Sequence, residues 1–137
     1  MKNAIVRTAG ALAVLFGVAT VVSGGRILVG EAARAEAGDV VPFVLWFNTA
    51  SGLLYVAAGA GLLARQRWGA LLSVAIAVAI LAAFAALGVH IVLGGAFEPR
   101  TVAAMTLRSI VWIAIAAIAC RSLGCRGMPR GSTFGTR

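Results

Sequence analysis

Residues 83–113 read AFAALGVHIVLGGAFEPRTVAAMTLRSIVWI, and this stretch decides the predicted fold. It contains two strongly apolar segments that carry the polar residues His90, Glu98 and Arg108. If the second segment began after Arg108, only eleven residues would remain before the next cysteine, whereas a helix needs about 20 to cross a hydrocarbon core. Arg108 is therefore predicted to lie within a membrane-spanning helix, where an ionisable residue is a candidate for a functional site.

The composition of the whole chain indicates an integral membrane protein. Of its 137 residues, 61% are hydrophobic and 12% are charged, and the mean hydropathy is +1.01, which leaves too little polar surface for a soluble domain. The net charge is +8, but the basic residues are scattered between apolar spans, so we expect no nucleic-acid partner. Abundant arginine and alanine favour a bacterial source.

The apolar runs predict an all-α protein with four transmembrane helices in one compact bundle, formed by residues 1–123. The spans are expected at about 5–29, 42–64, 68–93 and 101–120. Residues 124–137 are rich in glycine, serine and arginine, and are predicted to form a disordered basic tail.

The first span is predicted to be an uncleaved helix. Residues 35–37 (AEA) resemble a signal-peptidase site, but they lie too far beyond the apolar run for the usual arrangement. Small residues at spacings of three and four predict a face for close helix packing; they are Ala13, Gly17, Thr20 and Gly24.

The second and third spans each have one side that is distinguished by polar or small residues. Asn48, Ser51 and Tyr55 follow one side of the second span and are predicted to face other helices, because lipid would penalise them. The third span places small residues on one side, ending in His90, and this side is predicted to be a packing face within or between chains; the small residues are Ala75, Ala79, Ala83 and Ala86.

The charge distribution predicts the orientation. With both termini in the cytoplasm, eight basic residues and no acid lie on that side, as the positive-inside rule requires; they are Lys2, Arg7, Arg65, Arg67, Arg121, Arg126, Arg130 and Arg137. All four acids then lie on the opposite side. The predicted location is a bacterial inner membrane, with a multi-pass topology.

The depths of the polar residues predict a ligand-binding pocket that opens away from the cytoplasm. At 1.5 Å per residue, Arg108 and Asn48 lie about 10 Å inside the outer boundary and His90 lies about 6 Å inside. The predicted pocket has Arg108 as its fixed positive charge, with Asn48 and His90 beside it. Ser51 and Tyr55 are predicted to line its floor, and Glu98 and Thr101 its rim.

Structural interpretations of the same residues remain open. Arg108 could extend toward the lipid headgroups or pair with Glu98, and Asn48 and Ser51 could serve only as hydrogen-bonding contacts between helices. The Cys120–Cys125 pair at the cytoplasmic end is expected to be reduced. We expect no metal and no cofactor, and a single histidine with a tyrosine does not favour an enzyme.

Three short motifs resemble the DoxX-like group of small bacterial four-helix membrane proteins: RTAGAL at residues 7–12, SGGR at 23–26 and RQR at 65–67. The resemblance covers the first half of the chain. It implies an inner-membrane bundle, which in that group is sometimes an accessory subunit in redox or sulfur metabolism. It implies no site residue here, because the region from residue 88 to 112 does not match the group's pattern.

Two functions follow from these features. The first is an accessory or assembly subunit that acts through helix contacts with a larger membrane protein or with further copies of itself. The alternative is a small transporter or binding protein for an anion or polar solute, with Arg108 as the recognising charge.

Overall fold

The computed structural model describes residues 1–125, and nearly all of them belong to five α-helices. They are α1 (Lys2–Val29), α2 (Glu31–Ala37), α3 (Pro42–Leu63), α4 (Arg67–Val92) and α5 (Pro99–Leu123). In this part of the chain, α1, α3, α4 and α5 are long and apolar enough to cross a membrane. The predicted all-α fold with four spans is confirmed, and each predicted span agrees to within three residues. Nearly all of the predicted tail lies outside the described residues.

Local sequence explains where these helices begin and end. Both α3 and α5 begin with proline, whose missing N–H would have no partner in a first helical turn. Between α3 and α4 the chain reverses at Arg65, which adopts φ 57°, and the Gln66 N–H donates to the Gly61 carbonyl at 2.8 Å. Between α4 and α5 it turns at Gly94 with φ 82°, a conformation that glycine adopts without steric cost.

The four long helices form a closed ring of neighbours. Helix α1 packs against α3 over the most extensive interface, α4 packs against both α3 and α5, and α5 returns to α1 through the least extensive of the four. We call the end that carries α2 and the α4–α5 connection the acidic end, because Glu31, Glu36, Asp39 and Glu98 all lie there. The opposite end, with Arg65, Arg67 and Arg121, is the basic end.

Helices α1 and α3 meet along a glycine seam, formed by Gly10, Gly17 and Gly24 on α1 and by Gly52 and Gly59 on α3. A Cβ atom on Gly17 would lie 2.7 Å from the Gly52 carbonyl oxygen, and one on Gly59 would lie 2.7 Å from the Gly10 carbonyl oxygen. Backbone therefore packs directly on backbone, which only glycine permits. The small-residue face predicted on α1 is confirmed, since its residues are buried, and its partner is α3 of the same chain.

The outer surface of the bundle is strongly apolar. Large side chains are exposed along every long helix, including Leu15, Leu53, Val78 and Ile110. An apolar surface of this extent around hydrogen-bonded helices is the arrangement that a lipid environment favours. The chain is a small multi-pass membrane protein.

The face of α4 that packs within this chain is not the alanine face, so the alternative that the alanine face packs within the chain is wrong and its packing between chains stays a prediction. Ala75, Ala79 and Ala86 are exposed and Ala83 is half-buried, whereas the buried side of the helix carries Ser73, Ile76, Ala77 and Ile80. Helix α4 is apolar on all sides, so its sequence does not mark which side faces inward. Its rotation is set instead by a close contact at its start, where a Cβ on Gly69 would lie 2.7 Å from the Gly61 carbonyl carbon.

The expectation of reduced cysteines was wrong, because Cys120 and Cys125 form a disulfide. A continuing helix would separate them, but Gly124 with φ 77° ends α5 and turns the chain back. Their Cα atoms are consequently 4.7 Å apart, within the range that a disulfide bridges.

Candidate functional site

Arg108 is buried inside the bundle. It lies in the third turn of α5, on the face that also buries Met105, Ser109 and Trp112, and 9% of its surface is exposed. By helical rise its Cα is about 13 Å from the start of α5. Its guanidinium approaches the rings of Phe16 and Tyr55, which by helical rise lie about 20 Å from the same ends of α1 and α3. The side chain therefore extends toward the middle of the bundle and not toward the headgroups, as a snorkelling arginine would.

The guanidinium is held by aromatic rings rather than by a carboxylate. Its Cζ lies 5.8 Å from the ring centre of Phe16 on α1 and 6.0 Å from that of Tyr55 on α3. Within residues 1–125 its hydrogen-bond partner is the sulfur of Met105, at 3.8 Å from Nη1, and thioethers are weak acceptors. No carboxylate in this part of the chain is paired with the guanidinium, so the predicted alternative of an Arg108–Glu98 pair is wrong.

The aromatic contacts do not neutralise the charge of Arg108. An arginine at the centre of a membrane helix costs about 3 kcal/mol on translocon scales, and a cation–π contact returns from about 0.5 kcal/mol to about 2 kcal/mol or more, depending on geometry and desolvation. Both rings here lie at the outer distance limit for such contacts. An anion bound beside the guanidinium would restore the missing charge balance.

Four buried polar atoms around Arg108 have no hydrogen-bond partner among the described residues. They are Arg108 Nε, Asn48 Oδ1, the Tyr55 hydroxyl and Trp112 Nε1. The Tyr55 and Trp112 rings are 4.5 Å apart and both side chains are fully buried. Buried polar groups in folded proteins are nearly always paired. Arg108 and Asn48 line cavities, so their unpaired donor and acceptor mark a place for a polar ligand, whereas Tyr55 and Trp112 do not line those cavities.

Two cavities meet at Arg108 and Asn48. The first, the end cavity, has a volume of about 280 Å³ and reaches the acidic end, where Glu98, Arg100 and Thr101 line it. The second, the side cavity, has a volume of about 360 Å³ and lies between α1 and α5, where Phe16, Ala19, Ser23 and Leu107 line it. Ile27, Leu45 and Ala104 also line both.

The structure brings five of the seven predicted pocket residues to this region. Arg108, Asn48, Glu98 and Thr101 line the end cavity, and Tyr55 lies against the Arg108 guanidinium. The prediction that Asn48, Ser51 and Tyr55 face other helices agrees with their burial, which is complete for Tyr55 and partial for Asn48.

Ser51 and His90 lie elsewhere. The Ser51 hydroxyl donates to the Phe47 carbonyl at 2.6 Å and lines a separate small cavity between α3 and α4. His90 Nε2 lies 3.1 Å from the Ala96 carbonyl oxygen, and its ring packs edge-on against Phe43 at 6.2 Å. His90 therefore contacts the α4–α5 connection and lines neither of the two cavities.

Glu98 connects two elements at the rim of the end cavity. Its carboxylate accepts a hydrogen bond of 3.3 Å from the Asp39 N–H, in the loop between α2 and α3. Gly38 in that loop adopts φ 72°, and a Cβ there would overlap the Glu98 carboxylate. Glu98 thus holds the loop against the start of α5, and Arg100 places a cation on the same rim.

Sequence reasoning missed Phe16 and Trp112. Trp112 is four residues after Arg108 and therefore on the same side of α5, so its position could have been recognised. Phe16 carries no comparable signal, because it is an apolar residue in an apolar helix and reaches Arg108 only through packing. Within the described range there is also no group of three or more His, Cys, Asp or Glu side chains placed to hold a metal ion.

The fold and the site define a class: a small helical membrane protein with a buried arginine that lines a cavity and has no carboxylate partner among residues 1–125. Comparison of the chain with protein-family models, with curated proteins and with solved structures finds no match. The resemblance to the DoxX-like group therefore stays a prediction.

Proposed function

We propose that this protein binds an anionic ligand within the membrane and serves as a binding protein or small transporter for it. The observation that carries the proposal is the burial of Arg108 without a carboxylate partner in the described part of the chain, at the junction of two cavities. A buried positive charge that lacks an internal counter-ion is costly unless a ligand supplies one. We further propose that the acidic end faces away from the cytoplasm of a bacterial cell, in agreement with the positive-inside rule.

The proposal is tested by thermal unfolding of the delipidated protein in detergent, with inorganic phosphate or glycerol 1-phosphate as the probe and chloride as the reference anion. We expect phosphate or glycerol 1-phosphate to raise the unfolding midpoint of the wild type, since a ligand that binds only the folded state stabilises it by about 1.4 kcal/mol at ten times its Kd. The Arg108→Gln variant should show no such rise. An equal rise in this variant would overturn the proposal.

Arg26→Gln is the matched control for this experiment. Arg26 is an exposed arginine at the acidic end that lines neither cavity. Its removal should leave the response to phosphate unchanged, which separates binding in the cavity from a general effect of surface charge.

A second candidate function is an accessory subunit that docks on a helix of a larger membrane protein. The observation in its favour is the exposed alanine face of α4, where Ala75 and Ala79 line a shallow cavity of about 200 Å³ with Phe47 and Leu54 of α3. Small exposed residues allow a second transmembrane helix to approach closely. The glycine seam does not support this function, because α1 and α3 bury it against each other.

Co-purification in mild detergent tests the accessory function. A partner protein should be recovered with the wild type and lost with Ala79→Leu, which fills the shallow cavity. The control Val78→Leu changes an exposed neighbour that lies outside that cavity and should retain the partner. Recovery of the wild type as a homo-oligomer that Ala79→Leu disrupts would indicate self-association, and recovery as a monomer would exclude the accessory function.

A further inference from the structure

We infer that the anion bound at Arg108 is the headgroup of an anionic phospholipid, whose acyl chains leave the bundle through the side cavity between α1 and α5. This inference rests on the proposed function and assigns its ligand class. The shape, lining and depth of the two cavities together favour a phospholipid over a small aqueous anion.

The end cavity has the chemistry of a headgroup site. It combines the cations Arg100 and Arg108 with the single acid Glu98, whose carboxylate is occupied by the Asp39 N–H. The net charge of its lining is therefore positive. Its buried unpaired groups include a donor, Arg108 Nε, and an acceptor, Asn48 Oδ1. A phosphate oxygen beside a hydroxyl, as in a phosphoglycerol group, would satisfy both.

The side cavity has the chemistry of a path for acyl chains. Its lining is dominated by apolar or small side chains, among them Phe16, Ala19, Leu45 and Leu107. The hydroxyl of Thr20 donates to the Phe16 carbonyl at 2.7 Å and that of Ser23 to the Ala19 carbonyl at 2.7 Å. Each of these hydroxyl protons is thus already donated within α1, so the lining away from Asn48 and Arg108 offers little to a hydrated anion.

The side cavity opens at the depth of lipid chains. Ala19 and Leu107 are exposed on the outside of the bundle, and by helical rise they lie about 12–15 Å below the acidic ends of α1 and α5. That depth falls within the hydrocarbon core, which is about 30 Å thick. Since α1 and α5 share the least extensive interface of the ring, this opening also lies where the bundle is least closed.

The volumes of the two cavities also support a phospholipid ligand. Ligand sites usually have volumes of about 300–1,000 Å³. The end cavity, at about 280 Å³, is just below this range, and the side cavity, at about 360 Å³, is near its lower end. They share the lining residues Asn48 and Arg108. A molecule with a polar head and an apolar tail can occupy both at once, with its charge at the shared residues.

Native mass spectrometry of the full-length, delipidated protein tests the inference, with phosphatidylglycerol as the probe and phosphatidylcholine as the zwitterionic reference. We expect one tightly retained phosphatidylglycerol, at least about tenfold tighter than phosphatidylcholine, which equals about 1.4 kcal/mol. Arg108→Gln should lose this preference and Arg26→Gln should retain it. Circular dichroism of each variant verifies that it is folded.

A second pair of variants tests the side opening. Ala19→Trp places a bulky ring in the side cavity, whereas Ala11→Trp makes the same change at an exposed position of α1 that lines neither cavity. We expect Ala19→Trp to weaken phosphatidylglycerol binding at least fivefold and to leave the binding of glycerol 1-phosphate unchanged. Ala11→Trp should change neither.

The outcomes separate the two proposals. If glycerol 1-phosphate binds as tightly as phosphatidylglycerol and Ala19→Trp has no effect on either, the ligand is a small anion; the inference then fails and the proposed function stands. If neither probe depends on Arg108, both proposals fail. Binding of phosphatidylglycerol that is independent of Arg108 would identify it as a boundary lipid and overturn the inference.

Discussion

Arg108 shows what a single residue can reveal in a membrane protein. Its position marks it in the sequence, because eleven apolar or small residues after it cannot form a span. What the sequence does not indicate is its surroundings, since the rings that hold it come from α1 and α3. A carboxylate partner would have made Arg108 a structural residue. Because it has none within residues 1–125, we interpret Arg108 as a ligand contact.

Replacement of Arg108 by an apolar residue is expected to stabilise the protein. In delipidated detergent, Arg108→Met should raise the unfolding midpoint by a few degrees, corresponding to about 1–2 kcal/mol, because methionine fills the space without a buried charge. Arg26→Met, at an exposed site, should change stability by less than about 0.5 kcal/mol. A clear fall in the Arg108→Met midpoint would mean that the charge has a structural role.

At the scale of elements, the α1–α3 pair is the most closely packed unit of the bundle. The glycines of its seam recur every seven residues on each helix, at Gly10, Gly17 and Gly24 and at Gly52 and Gly59, so they stay on one side over many turns. This pair positions Phe16 and Tyr55 toward Arg108 of α5. The site is thus carried by the packing of α1 on α3 and not by loops.

Alanine substitutions at two glycines of α1 should have opposite signs. Gly25→Ala should stabilise the protein by about 0.5–1 kcal/mol, because alanine is the better helix former and its Cβ would meet nothing within 4 Å. Gly17→Ala should destabilise it by about 1–3 kcal/mol, since its Cβ would lie 2.7 Å from the Gly52 carbonyl oxygen. Equilibrium unfolding in mixed micelles measures both, and equal signs would contradict close packing at the seam.

For the whole molecule, the separation of charge between the two ends is the main long-range feature. The described acids all lie at the acidic end, and the turn between α3 and α4 at the basic end carries Arg65 and Arg67. The disulfide between Cys120 and Cys125 lies at the basic end, on the side that the positive-inside rule assigns to the cytoplasm, where disulfides are rare.

Cysteine labelling in intact bacterial cells tests the orientation. In a background with Cys120→Ser and Cys125→Ser, a membrane-impermeant maleimide should label Asp39→Cys from outside and leave Gln66→Cys unlabelled until the cells are lysed. Both positions are exposed, at the acidic and basic ends. The reverse labelling pattern would contradict the proposed orientation and would place the disulfide in the oxidising compartment.

The sequence by itself determined the class, the four spans and the position of Arg108 within the fourth of them. The spans follow from comparing the length of each apolar segment with the thickness of the bilayer, and the position of Arg108 draws attention because a charge in hydrocarbon costs free energy. Both can be evaluated within a single segment of the chain. Helical rise converts residue number into depth, and the predicted depths of Asn48 and Arg108 agree with their lining of the same cavity. The same comparison placed His90 beside them, whereas His90 contacts the α4–α5 connection.

Only the tertiary structure decided how the helices face one another. The inward side of α4, the distance of Ser51 and His90 from Arg108, and the contribution of Phe16 depend on rotations about helix axes. Uniformly apolar helices do not encode those rotations in their hydrophobic pattern. They are set by contacts between helices, among them the close backbone contacts of Gly17 with Gly52 and of Gly61 with Gly69.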